Sequence, residues 1–126
     1  MDILGQIGCF CIVTFLCFIC SLNLSYNIIR EIQGSGLEGP IPESISLLTN
    51  LSQLAISDLN GEGSQLFPNL SSMASMKKLV LRGCNLRGFI PGYIKLMSKL
   101  QHLDLSFNDL GGDIPDLSGL RNLEKM

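Results

Sequence analysis

Residues 100–115 read LQHLDLSFNDLGGDIP. Leu103 and Leu105 alternate with His102, Asp104 and Ser106, the two-residue period of a strand with one buried face. Asn108 follows, then Leu110, Gly112, Ile114 and Pro115. Twenty-four residues upstream much of the stretch recurs as Met76, Leu79, Leu81, Cys84, Leu86, Gly88, Ile90 and Pro91. A period of this length with alternating leucines predicts a solenoid of short stacked units. Each unit buries its apolar side on its neighbours, so 126 residues suffice without one central core.

The other copies are less regular. In the first unit Ile32 takes the place of Leu105, and Leu37, Gly39, Ile41 and Pro42 match Leu110, Gly112, Ile114 and Pro115. Arg30 and Asn27 stand where Leu103 and Leu100 belong, so the pattern is expected to begin at about Glu31. The second unit has Leu51, Leu54 and Ile56, then Leu59 at the Asn place and no Ile-Pro pair; Phe67 and Pro68 are expected to replace that pair. From Ile56 to Leu81 the step is 25 residues. The third unit carries Cys84 at the Asn place. After Pro115, Leu117, Leu120, Leu123 and Met126 begin a fifth unit one residue early. The break at Arg30 and the stop at Met126 read as a piece of something longer, with residues 31–126 forming the repeat domain.

The spacing has a physical reading. Strands of successive units would pair in parallel, about 4.8 Å apart. The Asn amide after each strand would hydrogen-bond backbone groups of the turn that burial would otherwise leave unpaired. Cys84 is expected to do this weakly, at a cost of about 1 kcal/mol. Gly88 and Gly112 suit tight bends, and Pro42, Pro91 and Pro115 prevent a long helix. The return paths SISLLTNL (44–51) and GYIKLMSKL (92–100) are expected to be short helical or 3₁₀ turns with apolar residues facing inward.

Outside the repeats, residues 1–25 are strongly apolar, with no charge from Ile3 to Leu22. A hydrophobic helix is expected there. A secretory signal is the preferred reading, and an uncleaved membrane-spanning segment is the alternative. The segment lacks a basic stretch ahead of the apolar run, which leaves an incorrect gene start as a third reading. Four of the five cysteines (Cys9, Cys11, Cys17 and Cys20) lie in it, where they serve as small hydrophobes rather than metal ligands. His102 is the single histidine, so neither a metal nor a cofactor site is expected. The formal net charge of -2 gives no electrostatic case for nucleic acid.

The motif L-x-x-L-x-L-x-x-N-x-L-x-G-x-I-P resembles the plant-type leucine-rich repeat. GSGLEGPIPESISLLTNLSQLAISDLNG (34–61) and KKLVLRGCNLRGFIPGYI (77–94) resemble the extracellular region of plant leucine-rich-repeat receptor-like serine/threonine kinases, particularly those with a malectin-like domain after the repeats. The resemblance implies an α/β solenoid: a horseshoe fragment with a short parallel β-sheet, preceded here by the N-terminal hydrophobic helix. It also implies a second short strand at the G-x-I-P tract of units one, three and four. Its functional implication is extracellular recognition at the plasma membrane, of a protein, peptide or glycan ligand or of a co-receptor. No Gly-rich loop, catalytic-loop or D-F-G signature is present, so the family's kinase activity does not carry over. The alternatives are a stand-alone secreted protein like the plant inhibitors of polygalacturonases, or a truncated product without function.

The candidate binding residues are the non-leucine positions of the strands, which form the concave face. They are Glu31 and Gln33; Gln53, Ala55 and Ser57; Lys78, Val80 and Arg82; and His102, Asp104 and Ser106. The plainer reading is a solvated sheet face. His102, Asp104 and Ser106 have the residue types of a hydrolase triad, but neighbours on one face of a strand lie about 6.6 Å apart, too far for one. No catalytic residue is therefore expected. Sequons occur at Asn23, Asn50 and Asn69, with glycosylation expected at Asn50 and Asn69 in a secreted chain. Lys77, Lys78, Arg82 and Arg87 form a small basic cluster around unit three, with ordinary solvated charge as the plainer reading.

Overall fold

The computed structural model describes residues 40–41, 43–59 and 61–126, together with the backbone of 28–33. The expected N-terminal hydrophobic helix, its four cysteines and Asn23 lie outside the described residues. Among the described residues the strands are β1 (Ile28–Gln33), β2 (Gln53–Ser57), β3 (Gln65–Leu66), β4 (Lys78–Arg82), β5 (Leu86–Phe89), β6 (His102–Asp104) and β7 (Asp109–Gly111). They form two parallel sheets, one in the order β1-β2-β4-β6 and the other β3-β5-β7. The chain is a solenoid.

The first sheet follows from the leucine alternation. Leu54, Leu79 and Leu103 lie side by side in register, and Ile56 is paired with Leu81. All five are buried in one continuous core. A backbone ladder marks each strand entry. The Ser52 carbonyl accepts from the N–H groups of Lys77 and Lys78, the Lys77 carbonyl from Gln101 and His102, and the Gln101 carbonyl from Glu124 and Lys125. The early fifth unit therefore joins the same ladder, through a bridge between His102 and Lys125.

The return paths contain no α-helix among the described residues, which corrects the helical part of the α/β expectation. They run instead as 3₁₀ and single turns, with 3₁₀ segments at Glu43–Leu47 and Gly92–Leu96. The reason is visible in the spacing. Ile45, Leu48 and Leu51, then Leu70, Met73 and Met76, then Ile94, Met97 and Leu100, and finally Leu117, Leu120 and Leu123 recur every third residue. Each N–H reaches back three residues, as Met97 does to Ile94 at 3.0 Å and Leu100 to Met97 at 2.9 Å. Positions three apart eclipse one another in such a turn, so one apolar line faces the core.

Two irregularities sit differently from the sequence expectation. Strand pairing begins at Ile28 rather than near Glu31: Ile28 is paired with Gln53 and Ile29 with Leu54, the register then shifts, and Ile32 is paired with Ile56. Ile29 therefore takes the place assigned to Arg30, and an extra residue in β1 absorbs the difference. In the second sheet, unit two supplies β3 although it lacks the Ile-Pro pair; the G-x-I-P tract of unit one falls largely outside the described residues. Gln65 makes this possible. Its Oε1 accepts from the Ile41 N–H at 2.7 Å, its Nε2 donates to the Cys84 carbonyl at 2.8 Å, and its own N–H donates to the Asn85 carbonyl at 2.9 Å. One side chain thus ties together units one, two and three. Phe67 packs half-buried on the core beside Pro68, as Ile90 does in the next unit.

Candidate functional site: the strand face of the first sheet

The outward side chains of β2, β4 and β6 form three rows, because the parallel strands are in register. Gln53, Lys78 and His102 share the first row; Ala55, Val80 and Asp104 the middle; Ser57 and Arg82 the last, with Ser106 just past the end of β6. Ala55 and Val80 are only 5% and 8% exposed, so the middle of the face is a low apolar floor. The row residues on either side stand higher. Gln33 is the backbone partner of Ser57, and Glu31 lies where the register of β1 shifts.

One corner of the face is organised beyond what the repeat requires. Past β2, β4 and β6 the chain turns through a left-handed residue: Asp58 (φ 55°), Gly83 (φ 59°) and Phe107 (φ 57°). Glycine does this without strain, whereas phenylalanine pays about 1 kcal/mol. Phe107 is nonetheless 76% exposed, and the Arg82 guanidinium lies over its ring at 4.6 Å. That stacking recovers about 0.5–1 kcal/mol. The sequence reading missed Phe107, which lies just past the alternating strand positions. Its signal would have been an aromatic residue aligned with Gly83.

Asp104 is held by Ser106, whose hydroxyl donates to Oδ1 at 2.6 Å and whose N–H donates to the same oxygen at 3.0 Å. These bonds, the hydroxyl first, keep the Asp104 carboxyl below the usual carboxylate range; Arg82 and His102 add to the effect. The arrangement is unsuited to nucleophilic catalysis. The Ser106 hydroxyl hydrogen goes to a carboxylate of lowered basicity, not to the imidazole that an activated serine needs. Among the described residues no group of three His, Cys, Asp or Glu side chains could hold a metal ion, and no helix is long and apolar enough to cross a membrane.

The remaining candidates separate. Lys77, Lys78 and Arg82 flank or lie on the first sheet, whereas Arg87 lies on β5 in the second, so the four do not form one patch. Asn50 and Asn69 are both exposed.

The structural repeat residues divide by position in the stack. Leu79, Leu81, Leu86 and Leu103 are buried, Leu105, Leu110, Asn108 and Pro115 are half-buried, and Ile114, expected inside, is 65% exposed. Ile114 belongs to the fourth unit, whereas its counterpart Ile90 in the third packs against the core.

The polar ladder behind the face is uneven. Asn108 Oδ1 accepts from the N–H groups of Cys84 (2.9 Å) and Leu86 (3.2 Å) in the unit before it. Its Nδ2 donates to the carbonyls of Leu81 (2.6 Å), Leu105 (2.9 Å) and Ser106 (3.3 Å). Cys84 keeps the donor half, its thiol reaching the Ile56 carbonyl at 3.3 Å and the Arg82 carbonyl at 3.5 Å. The acceptor half is met otherwise: the Leu59 N–H, counterpart of the Cys84 N–H, donates to the Gly83 carbonyl at 3.1 Å. One of the two donors that an Asn would serve is thus met by the backbone, which offsets part of the expected penalty for Cys84.

Comparison with known proteins fits this geometry. Residues 75–97 and 99–120 match the family model described as Leucine Rich Repeat. The chain carries leucine-rich repeats. The repeats are 54% identical over 59 residues to a probable LRR receptor-like serine/threonine-protein kinase of Arabidopsis thaliana, covering 47% of this chain and 6% of that protein. They are 37% identical over 98 residues to Receptor-like protein 49 of the same plant, covering 68% of this chain and 12% of that protein. The chain thus spans only a small part of the relatives it matches. The LRR ectodomain of the receptor kinase SOBIR1 from Arabidopsis thaliana superposes with a TM-score of 0.67 at 34% identity, over 75% of this chain and 50% of that one. The GASSHO1/SCHENGEN3 ectodomain, solved in complex with CASPARIAN STRIP INTEGRITY FACTOR 2, superposes with a TM-score of 0.64 at 29% identity, over 71% of this chain and 11% of that one.

Proposed function

We propose that these leucine-rich repeats are an extracellular recognition module of a plant receptor-like kinase or receptor-like protein at the plasma membrane. The module binds a peptide or a partner receptor through the strand face of the first sheet. Within that proposal, the kinase class with a malectin-like domain is the reading carried by the motifs at 34–61 and 77–94. The observation that supports the strand face most is the corner made by Arg82, Phe107 and Asp104. An exposed aromatic residue in a strained left-handed conformation, its strain roughly offset by stacking under a guanidinium, adds nothing to the core. Local strain of this kind is concentrated at functional sites. The GASSHO1/SCHENGEN3 ectodomain was solved with a partner bound, CASPARIAN STRIP INTEGRITY FACTOR 2; with the low apolar floor of this face, an extended peptide is the first probe.

The test is panning the purified chain against a synthetic library of secreted plant peptides. The expected result is binding that Val80→Arg, which fills the apolar floor, weakens at least tenfold. Leu96→Arg, on the return path, leaves it unchanged. Binding that both substitutions affect equally, or that neither affects, overturns the assignment of the face.

A further inference from the structure

We propose that the outward face of the second sheet is a contact between two copies of this chain, related by a two-fold axis that runs parallel to the strands between β5 and β7. The inference is independent of the strand face of the first sheet. Side chains alternate along β5: Leu86 is buried, Arg87 exposed, Gly88 half-buried and Phe89 exposed. In β7 Asp109 and Gly111 are exposed, and Leu110 packs on the core between them. The pairing sets Arg87 beside Asp109 and Phe89 beside Gly111. The outward face therefore carries a charged row and, two residues on, an aromatic row.

The aromatic row reaches from one unit to the next. A Cβ on Gly112 (φ 74°) would collide with the Phe89 ring, so the ring extends from β5 across to the fourth unit and rests where glycine leaves room. Leu66 does the same one unit earlier, its Cδ2 lying 3.4 Å from where a Cβ on Gly88 would stand. Phe89 nonetheless stays 74% exposed and Leu66 is exposed beside it, an apolar surface that closes no part of the core. The charged row is uncompensated. Among the described residues neither Arg87 nor Asp109 makes an ion pair or a side-chain hydrogen bond, although they are cross-strand neighbours.

The apolar surface alone would not name its occupant; the charges beside it do. A two-fold axis midway between β5 and β7 lays β5 of one copy on β7 of the other and keeps the rows aligned. Arg87 then meets Asp109 of the second copy, and Asp109 meets Arg87 of the second copy. The Phe89 ring, reaching from β5 toward β7, lies near the axis and stacks on Phe89 of the second copy. A two-fold contact requires a patch complementary to itself, and this patch holds both signs of charge in one row with an aromatic residue at the axis. Its width is small beside permanent interfaces, so the dimer is weak and reversible.

Sedimentation velocity of the purified full chain over a concentration series reads the association. The expected result is a weight-average mass that rises toward that of two chains, and that Phe89→Glu holds at one. Arg87→Asp and Asp109→Arg should each weaken association at least about tenfold, because each sets like charges together at both ends of the contact. An equimolar mixture of these two variants should recover association close to that of the native chain, since every cross contact is again opposite in sign. That recovery also shows that both variants fold. Lys95→Asp, the same charge change on the return path, and Val80→Arg, on the first sheet, should leave association unchanged. A chain that stays monomeric throughout overturns the second copy as the occupant and leaves the face to a different protein. Association that survives Phe89→Glu, or that the mixture does not restore, lies elsewhere on the chain and overturns the proposal.

Discussion

Replacing Asn108 by alanine removes the one side chain that serves both halves of the ladder between the third and fourth units. The N–H groups of Cys84 and Leu86 lose their acceptor, and both residues are fully buried. Each buried donor left unpaired costs about 1–3 kcal/mol. The structure also contains a relief route. In the preceding interface the Leu59 N–H is satisfied by the Gly83 carbonyl, and Phe107 has nearly the same φ as Gly83. The Phe107 carbonyl can therefore take over one donor after a small shift. One donor is relieved and one remains orphaned, so the expected destabilisation is about 2 kcal/mol, roughly a 30-fold change in the unfolding equilibrium. Urea denaturation followed by circular dichroism measures it, and amide exchange at Cys84 and Leu86 locates it. Cys84→Ala, which removes only a thiol donor, should cost about 1 kcal/mol. A cost for Asn108→Ala below about 0.5 kcal/mol, with exchange at Cys84 and Leu86 unchanged, would refute the ladder argument.

Four further outcomes follow from the same geometry. Leu79→Ala, in the core, should cost about 2–5 kcal/mol in denaturant titration, whereas Leu96→Ala, 71% exposed, should be nearly neutral. Gly119→Ala should destabilise, because its Cβ would lie 2.9 Å from the Lys95 carbonyl oxygen; Gly92→Ala meets nothing within 4 Å and should leave the melting temperature alone. Burial, reinforced by the charge of Asp58, pushes the Cys84 thiol up to about 12. Because the thiolate is the reactive form, peptide mapping after alkylation at neutral pH should find Cys84 unmodified in the native protein and modified in denaturant. Ser106→Ala should raise the titration of Asp104 in an NMR pH series. A depressed carboxylate contributes stability above its unfolded pKa of about 3.9 and loses it as pH falls through the folded value, so the variant should lose less stability than the native chain on acidification.

The first sheet was legible because its signal is local. Leu79 and Leu81, or Leu103 and Leu105, announce an inward face within three residues, and the period of 24 or 25 aligns one strand with the next. The apolar residues at every third position likewise announce the return path, although an α-helix and a 3₁₀ turn both remain open at that length. Gln65 was illegible for the opposite reason. It acts on Ile41 and Cys84, 24 and 19 residues away, and no periodic position marks it. Tyr93 gave no sign that its hydroxyl reaches the unit before it. The shift at Arg30 misled because a bulge moves the register by one residue, and a strict count then assigns the inward place to the wrong side chain. Of the candidate face, the row positions were readable as the complement of the leucines. The stacking of Arg82 on Phe107 was not, since it depends on a left-handed turn that glycine fills one unit earlier.

The division of labour around the solenoid leaves the strand face as the part whose side chains do least to hold the stack together. Side-chain contacts that fix one unit on the next come mainly from other sides. The core takes the inward leucines, and Asn108, Cys84 and Gln65 work behind the strand ends. On the return path Tyr93 bonds Pro68 and Leu70, Ser72 donates to the Ser46 carbonyl, and Asn122 donates to the Ser98 carbonyl. The strand face contributes backbone pairing, which any side chain tolerates, and two small apolar residues, Ala55 and Val80, as its floor. Its row residues can change without removing a bond that holds the stack. Phe107 and Arg82 illustrate that latitude: Phe107 accepts strain at a turn where glycine suffices one unit earlier, and its contact with Arg82 spans two units without closing the core.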